Sequence, residues 1–588
     1  MKMPLLVLLC LLLAAQASAE SGAIDAPVGL GDRPAGVYKA GRSQVIGAHG
    51  MVATAQPLAS LAALDVLREG GSAVDAAIAA NAMLGLVEPE SAGMGGDLFA
   101  LVWDPRRKDL VGLNASGRAP RGQTLAELQA RLPGRDSIPL YGSAAVTVPG
   151  AVDGWFALHA RYGRLPMRRL LAPAIRYARE GFPMTEVVAA EVGAAMRDFD
   201  AHAGEIGELD NLRKLYRIDG RTPREGQIFR NPDLASSLER IAAGGRDAFY
   251  RGDLARTIDR YMRRIGGALR YEDLAANQSD WVQPVCTPYR GYRVCETPFN
   301  SQGMAVLQML NILEGYDLAA LAPGSAELLH LQIEAKRLAY EDRSRYYADP
   351  AFAKLPAEAL LSKAYAADRR KLIDPQRAMP TVAAGDPRAL EHGDTTYLAA
   401  ADRDGMMVSL IQSNYSNLGS GLVPDGLGFV LHNRGNAFSL DPAHANAYAP
   451  GKRPFHTIIP GFAFKGDKPW LSFGVMGGAM QPQGQVQVLI NLIDHGMNLQ
   501  QAGDTARYYH DGSTRSNRLL SAVPAGAGEV TVESGIRASE VTALRRMGHA
   551  VTVGAAEYGG YEAVLRDPDS GVYFGATELR KDGAAMGY

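Results

Sequence analysis

His392-Gly393-Asp394-Thr395-Thr396-Tyr397-Leu398-Ala399-Ala400-Ala401-Asp402 sets a Gly-Asp pair before a hydroxyl residue, which opens an apolar run reading as a buried strand. Asp402-Arg403-Asp404-Gly405 supplies turn chemistry, and Met406-Met407-Val408-Ser409-Leu410-Ile411-Gln412 reads as a second strand. A two-residue loop between the strands puts Thr395 opposite a residue between Gln412 and Asn414, with Ser413 beside it at the open end of the hairpin. That placement suits a threonine nucleophile whose α-amino group, once the preceding bond is cut, serves as its own base. Taken alone, the pattern better fits a threonine that merely begins an ordinary hairpin.

Five further segments accompany it in a fixed order. They are Ala73-Val74-Asp75-Ala76-Ala77, Gly93-Met94-Gly95-Gly96-Asp97, Tyr289-Arg290-Gly291-Tyr292, Pro450-Gly451-Lys452-Arg453-Pro454 and Met476-Gly477-Gly478-Ala479-Met480-Gln481-Pro482-Gln483-Gly484. In order and spacing the six resemble the γ-glutamyltransferase (glutathione hydrolase) family, from about Ser43 to Tyr588. The resemblance implies an α+β fold, the αββα four-layer sandwich of N-terminal-nucleophile hydrolases. It also implies self-cleavage at Asp394–Thr395 into a large subunit, 20–394, and a small one, 395–588, intertwined in one catalytic domain. Thr395 Oγ is then the nucleophile, and Ser413 matches a family hydroxyl that assists processing. Gly477-Gly478 lies between a strand-like run and a helix, where backbone N–H groups can face a developing oxyanion. Such a pair is often only a turn; in the family frame it matches the oxyanion hole.

Departures from the family bear on the substrate. Ser116 stands where an arginine grips the substrate's α-carboxylate, with Arg118 two residues on, and Ala437 stands where an aspartate holds the α-amino group. Tyr415 replaces an asparagine, His456-Thr457 replaces paired serines, and the segment from Phe438 to Lys452 is short. These changes resemble the glutathione hydrolase-like and cephalosporin-acylase-like branches. Arg118 and Arg434 are candidates for holding a carboxylate through paired hydrogen bonds, with Tyr415, His456 and Thr457 beside the acyl group. A missing ammonium partner puts strict γ-glutamyl preference in doubt. The expected reaction is hydrolysis, favoured over transpeptidation, of a γ-glutamyl amide such as glutathione. A glutaryl or cephalosporin-type acylase is the alternative, and a binding protein with a decayed transferase fold the alternative of another class.

Composition narrows the remainder. The chain has 588 residues, 47% of them hydrophobic, and a net charge of −2, which gives no electrostatic footprint for nucleic acid or an anionic membrane. Met1-Lys2-Met3, an apolar run from Pro4 to Ala15, and Ala17-Ser18-Ala19 read as a signal peptide, residues 1–19, cleaved before Glu20. The expectation is export to a periplasm or the medium without a membrane anchor. Residues from Glu20 to about Gly41 read as an exposed arm. Cleavage leaves Cys286 and Cys295, which fall opposite each other if Arg290-Gly291 is a two-residue loop. An oxidising compartment favours a bridge, while strand-pair geometry also permits two separate thiols.

Ser72 with Asp75 reads as a capping box opening a helix from Ala73 to Gly85; further helices are expected at 326–343 and from Gln485 to Ile493. The chain contains no Gly-x-Ser-x-Gly, no His-Glu-x-x-His and no Gly-x-x-x-x-Gly-Lys-Ser/Thr. No metal or organic cofactor is expected. The partners are a small acyl amide and the two halves of one precursor, with assembly of several such heterodimers left open.

Overall fold

The structure, a computed structural model, describes residues 41–382, 394–514, 517 and 526–588, with Asp394 as backbone only. The expected signal peptide, the arm up to residue 40 and His392-Gly393 lie outside the described residues.

Two seven-stranded sheets form the centre. Their strands, in chain order, are β1 Val45–Gly47, β2 Met51–Thr54, β3 Asp97–Asp104, β4 Asp109–Ala115, β5 Asp280–Val282, β6 Val285–Tyr289, β7 Tyr292–Glu296, β8 Asp394–Ala401, β9 Met407–Tyr415, β10 Gly461–Lys465, β11 Lys468–Val475, β12 Tyr561–Arg566, β13 Tyr573–Thr577 and β14 Ala584–Gly587. The first sheet runs β14-β2-β8-β9-β3-β4-β5 and the second β1-β13-β12-β11-β10-β7-β6. Every neighbouring pair in both sheets is antiparallel.

Side chains alternate across each strand, and both faces are covered. On the first sheet, Leu98, Ala100, Val102, Leu398, Ala400, Val408 and Leu410 pack against helices α1 (Pro57–Arg68), α2 (Ala73–Val87) and α3 (Ala151–Tyr162). The intervening Phe99, Leu101, Trp103, Tyr397, Ala399, Ala401, Met407 and Ile411 meet Phe462, Phe464, Val564 and Tyr573 of the second sheet. The outer face of that sheet, through Val294, Leu471, Phe473 and Ala563, packs on α4 (Gly303–Leu313), α5 (Ala326–Tyr346) and α6 (Met480–Ile493). Helix, sheet, sheet, helix is the αββα order. Burial on both faces explains why these strands read as continuous apolar runs.

Local chemistry sets the helix starts. The Ser72 hydroxyl accepts from Asp75 N at 3.1 Å and Asp75 Oδ2 accepts from Ser72 N at 2.9 Å, closing the capping box of α2. The same carboxylate accepts from Arg164 N at 2.8 Å and so ties down the turn after α3. Helix α6 begins at Met480, five residues before the expected Gln485. Pro482 lies in its first turn, where a missing N–H costs no helical hydrogen bond, so it does not stop the helix. Among the described residues no helix is long and apolar enough to cross a membrane.

Candidate active site

The hairpin β8–β9 presents Thr395. Pairing runs from Ala401↔Met407 to Thr396↔Gln412 without a shift. The loop has three residues, Arg403-Asp404-Gly405, because Asp402 N still donates to Met406 O at 3.0 Å. The two-residue expectation is thus corrected. Asp402 Oδ1 accepts from Asp404 N and Met406 N, and Gly405 takes the left-handed conformation (φ +88°) that ends such a loop. The corrected loop leaves Thr395 across from Ser413. Between Thr396↔Gln412 and Asp394↔Tyr415 the register slips by one residue, so the Asp394–Thr395 peptide sits at a β-bulge.

Thr395 and Ser413 are fully buried in the continuous chain. Thr395 Oγ1 donates to Ser413 Oγ at 3.3 Å and accepts from Gln481 Nε2 at 3.3 Å. Ser413 Oγ also accepts from Tyr415 N at 2.7 Å. Gln481 belongs to the first turn of α6, and its Oε1 accepts from Ile459 N at 3.0 Å, which fixes the amide's orientation. Tyr415 holds φ at +82°, a strained region for a bulky side chain. Its ring lies under the buried Arg434 guanidinium, 4.1 Å from the ring centre, and Arg434 Nη1 donates to Thr457 Oγ1 at 2.9 Å.

Asp97, at the head of β3, pairs directly with Ser413. Its Oδ1 accepts from Gly117 N at 2.8 Å; Oδ2 lies 3.2 Å from His432 Nδ1 and 3.4 Å from His456 Nε2. His432 Nε2 donates to Thr147 O at 3.0 Å, since a carbonyl only accepts. Burial pushes the Asp97 carboxyl up, but His432, His456 and Arg434 together outweigh it and hold the group at about 2. Burial, reinforced by Arg434, holds the His456 imidazole well below its ordinary range, against the opposing pull of the Asp97 carboxylate.

The glycines before Asp97 are a steric requirement. A Cβ on Gly95 would stand 1.9 Å from Val430 O, and one on Gly96 2.3 Å from Gln412 Nε2 and 2.4 Å from Ser413 O. Gln412 in turn grips Gly93 with both ends of its amide, at 2.8 Å each. The glycine-rich segment therefore lets its backbone lie directly against the strand that carries Ser413.

Gly477 and Gly478 connect β11 to α6, with φ of +101° and +47°. Gly477 O accepts from Met480 N at 2.7 Å. Among the described residues no protein acceptor takes the N–H of either glycine. A cleft of about 490 Å³ opens at Gly477, lined by Ser416, Asn417, Met476, Glu557 and Tyr558, with Lys581 and Glu191 ion-paired at its wall. The arrangement combines a hydroxyl at a bulged peptide, a glycine turn whose N–H groups meet no protein acceptor among the described residues, and a cationic, hydroxyl-bearing end at Arg434 and Thr457.

The structure therefore brings together Thr395, Ser413, Tyr415, Arg434, His456 and Thr457, with Gln481 joining Thr395 to the start of the helix after Gly477-Gly478. Arg118 falls elsewhere. It is paired with Asp280 (3.5 Å) and Asp349 (3.6 Å) and lines a separate cleft with Arg121 and Phe352. Ser116 donates to Asn114 Oδ1 at 2.6 Å. Ala437 closes the short 3-10 turn Arg434–Ala437. Asp97 and Gln481 lay within the segments read above but had no assigned role, and His432 was not singled out. A Gly-Gly-Asp run entering a strand, and a histidine two residues before Arg434, were the available signals.

Cys286 and Cys295 face each other across β6 and β7 and are bonded, S–S 2.09 Å. The intervening Arg290-Gly291 takes positive φ at both residues, the two-residue turn that matches strand twist. Among the described residues one group has metal-ligand chemistry: His330, Glu334 and His549. There the facing atoms are engaged with protein. His330 Nδ1 and His549 Nε2 share a hydrogen bond of 2.8 Å, and Glu334 is paired with Arg337 at 2.8 Å.

The sequence profile of the gamma-glutamyltranspeptidase family matches residues 59–588. The glutathione hydrolase-like YwrD proenzyme of Bacillus subtilis is 37% identical over 92% of this chain and 99% of its own length. The acylase ACY 1 proenzyme of Pseudomonas sp. strain SE83 is 35% identical over 92% of this chain and 94% of its own. Among solved structures, cephalosporin acylase from Bacillus halodurans superposes with a TM-score of 0.85 at 42% identity, covering 95% of this chain and 99% of that one.

Proposed function

The chain belongs to the γ-glutamyltranspeptidase family of hydrolases, and from that premise we propose that it is an exported, self-processing amidase whose nucleophile is Thr395. The observation that carries the reading is the bulge at Asp394–Thr395 with Ser413 and Gln481 on the threonine hydroxyl. In processing, Thr395 Oγ attacks the Asp394 carbonyl carbon and the C–N bond breaks. Its electron pair takes up a proton, giving the Thr395 α-amine and an Asp394 ester. Water then cleaves the ester and leaves the large subunit, 20–394, and the small one, 395–588. In turnover the α-amine takes the hydroxyl proton as Oγ attacks the substrate amide, then returns it to the departing amine. The N–H groups of Gly477 and Gly478 receive the oxyanion. Water releases the acyl group. The apolar leader of residues 1–19 supports export.

The acyl end fits a short dicarboxylic chain. Arg434, steadied by the Tyr415 ring, and the Thr457 hydroxyl supply a cation and a donor for a terminal carboxylate. Asp97 is turned toward Gly117, His432 and His456, and position 437 is alanine, so no carboxylate is assigned to a substrate ammonium. Glutaryl amides are accordingly favoured over γ-glutamyl amides, and the presence of acylases among the relatives is in keeping with an acyl group other than γ-glutamyl. The short 438–452 segment, folded down through the Phe438–Tyr448 contact, supports hydrolysis over transfer by leaving the acyl-enzyme open to water.

Glutaryl- and γ-glutamyl-p-nitroanilide, each with and without glycylglycine, test this. The glutaryl compound is expected to show a kcat/KM at least tenfold higher, about 1.4 kcal/mol, with less than twofold stimulation by the dipeptide. Refusal of the glutaryl compound with strong stimulation would identify a transpeptidase instead.

A further inference from the structure

The glycine turn is held from behind by side chains that precede the Asp394–Thr395 bond. Gln302, at the start of α4, directs its Nε2 to Gly478 O at 2.8 Å and to Thr457 O at 2.6 Å. Both donor positions of that amide are thereby used. Its Oε1 accepts from Arg343 Nη1, which fixes which end of the amide is oxygen. Arg343 is buried on α5 and stacks on the Tyr340 ring at 3.9 Å. The Tyr340 hydroxyl donates to Ala479 O, which also accepts from Gln483 Nε2 at 3.1 Å.

The consequence follows from peptide planarity. A C=O and the N–H of the next residue lie in one plane and point opposite ways, so a held carbonyl fixes the amide of the residue after it. Glycine's backbone otherwise ranges widely, and Gly477 and Gly478 both hold positive φ. Gly477 O, held by Met480 N, fixes the Gly478 N–H; Gly478 O is held by Gln302 and Ala479 O by Tyr340, so Gly478 is clamped on both sides. Behind Gln302 stands a guanidinium that remains charged when buried, and it polarises the amide it touches. The same Gln302 amide holds Thr457, whose hydroxyl meets Arg434. One side chain thus ties the glycine turn to the acyl end.

We propose that Gln302, oriented by Arg343 and assisted by Tyr340, is a positioning residue: it holds the peptide after Gly478 while Met480 N holds the peptide before it, and so keeps the Gly478 amide aimed at the oxyanion. It does so across the line between the two segments that self-cleavage would separate. The proposal rests on the reading of the glycine turn given above.

Gln302→Glu tests it. The shape and the Arg343 contact are kept, but an ionised carboxylate cannot donate to Gly478 O or Thr457 O. The expected result on the processed protein is a kcat lowered at least tenfold for the better p-nitroanilide. KM stays within twofold and the thermal transition within a few degrees, the pattern of an interaction made in the transition state. Should Gln302→Glu remain a single uncut chain, Tyr340→Phe, which removes one hydroxyl, is read by the same split with a smaller fall of about fivefold in kcat. A kcat within twofold of the parent for the processed variant overturns the proposal. So does a fall shared equally by kcat and the thermal transition and restored by stabilising osmolyte. A parent protein that cleaves neither anilide through Thr395 defeats the reading of the site instead.

Discussion

Asp97 gathers Gly117, His432 and His456 around one carboxylate in the candidate site, and its charge belongs to its surroundings. The folded carboxyl ionises near 2, whereas an unfolded aspartate does so near 3.9. Between those values the unfolded chain binds more protons, so this contribution is complete above about pH 4 and is lost as pH falls toward 2. It amounts to about 2.6 kcal/mol. Urea unfolding at pH 5 and pH 2.5 should therefore show a steeper loss in the parent than in Asp97→Asn; equal losses would remove Asp97 from this role. Arg434 makes a different kind of contribution. Its guanidinium reaches the Tyr415 face and Thr457 Oγ1, and on the proposed reading it meets the substrate carboxylate. Arg434→Met should lower kcat/KM for glutaryl-p-nitroanilide by about 2 kcal/mol, roughly thirtyfold. A benzoyl-type anilide with no second carboxylate should lose much less. Equal losses on both would assign Arg434 to packing alone.

Between residues and the whole, the glycine-rich segment and the hairpin act as matched elements. Gly96→Ala sets a Cβ 2.4 Å from Ser413 O, and relief requires β3 to move off β9. The expected cost is about 2 kcal/mol in urea unfolding, with slowed self-cleavage. Gly122→Ala, with nothing within 4 Å of the added carbon, should change neither. An unaffected Gly96→Ala would show that the close approach is dispensable. These elements also mark what sequence could reveal. The β8–β9 pairing was legible because two apolar runs flank a cluster of turn residues, and the extra loop residue did not change which side chain faces Thr395. The α6 start was expected five residues too late, past Pro482, although a first-turn proline costs no helical hydrogen bond. The link between Asp97 and His432 joins segments more than three hundred residues apart, and no local pattern encodes it. Arg118 shows the converse. Its proximity in sequence to Ser116 said nothing about direction, and ion pairs with Asp280 and Asp349 turn it into another cleft.

At the scale of the molecule, the chain before Asp394 and the chain after it cannot be peeled apart. In the first sheet β8 and β9 lie between β2 and β3, and in the second β10 to β13 lie between β1 and β7. Strands from both segments therefore share hydrogen-bond ladders, and a cut at Asp394–Thr395 would leave two chains held by the same sheets and the same three-layered core. The cut would expose a new α-amine beside Ser413 without dismantling the fold that positions it. Everything proposed for turnover depends on that event. Amino-terminal sequencing of the smaller chain of the purified protein, with Thr395→Ala prepared in parallel, tests it directly. The account predicts a small chain beginning Thr395-Thr396-Tyr397-Leu398 and an uncut Thr395→Ala protein; a small chain beginning at any other residue, or cleavage that persists in Thr395→Ala, would contradict it.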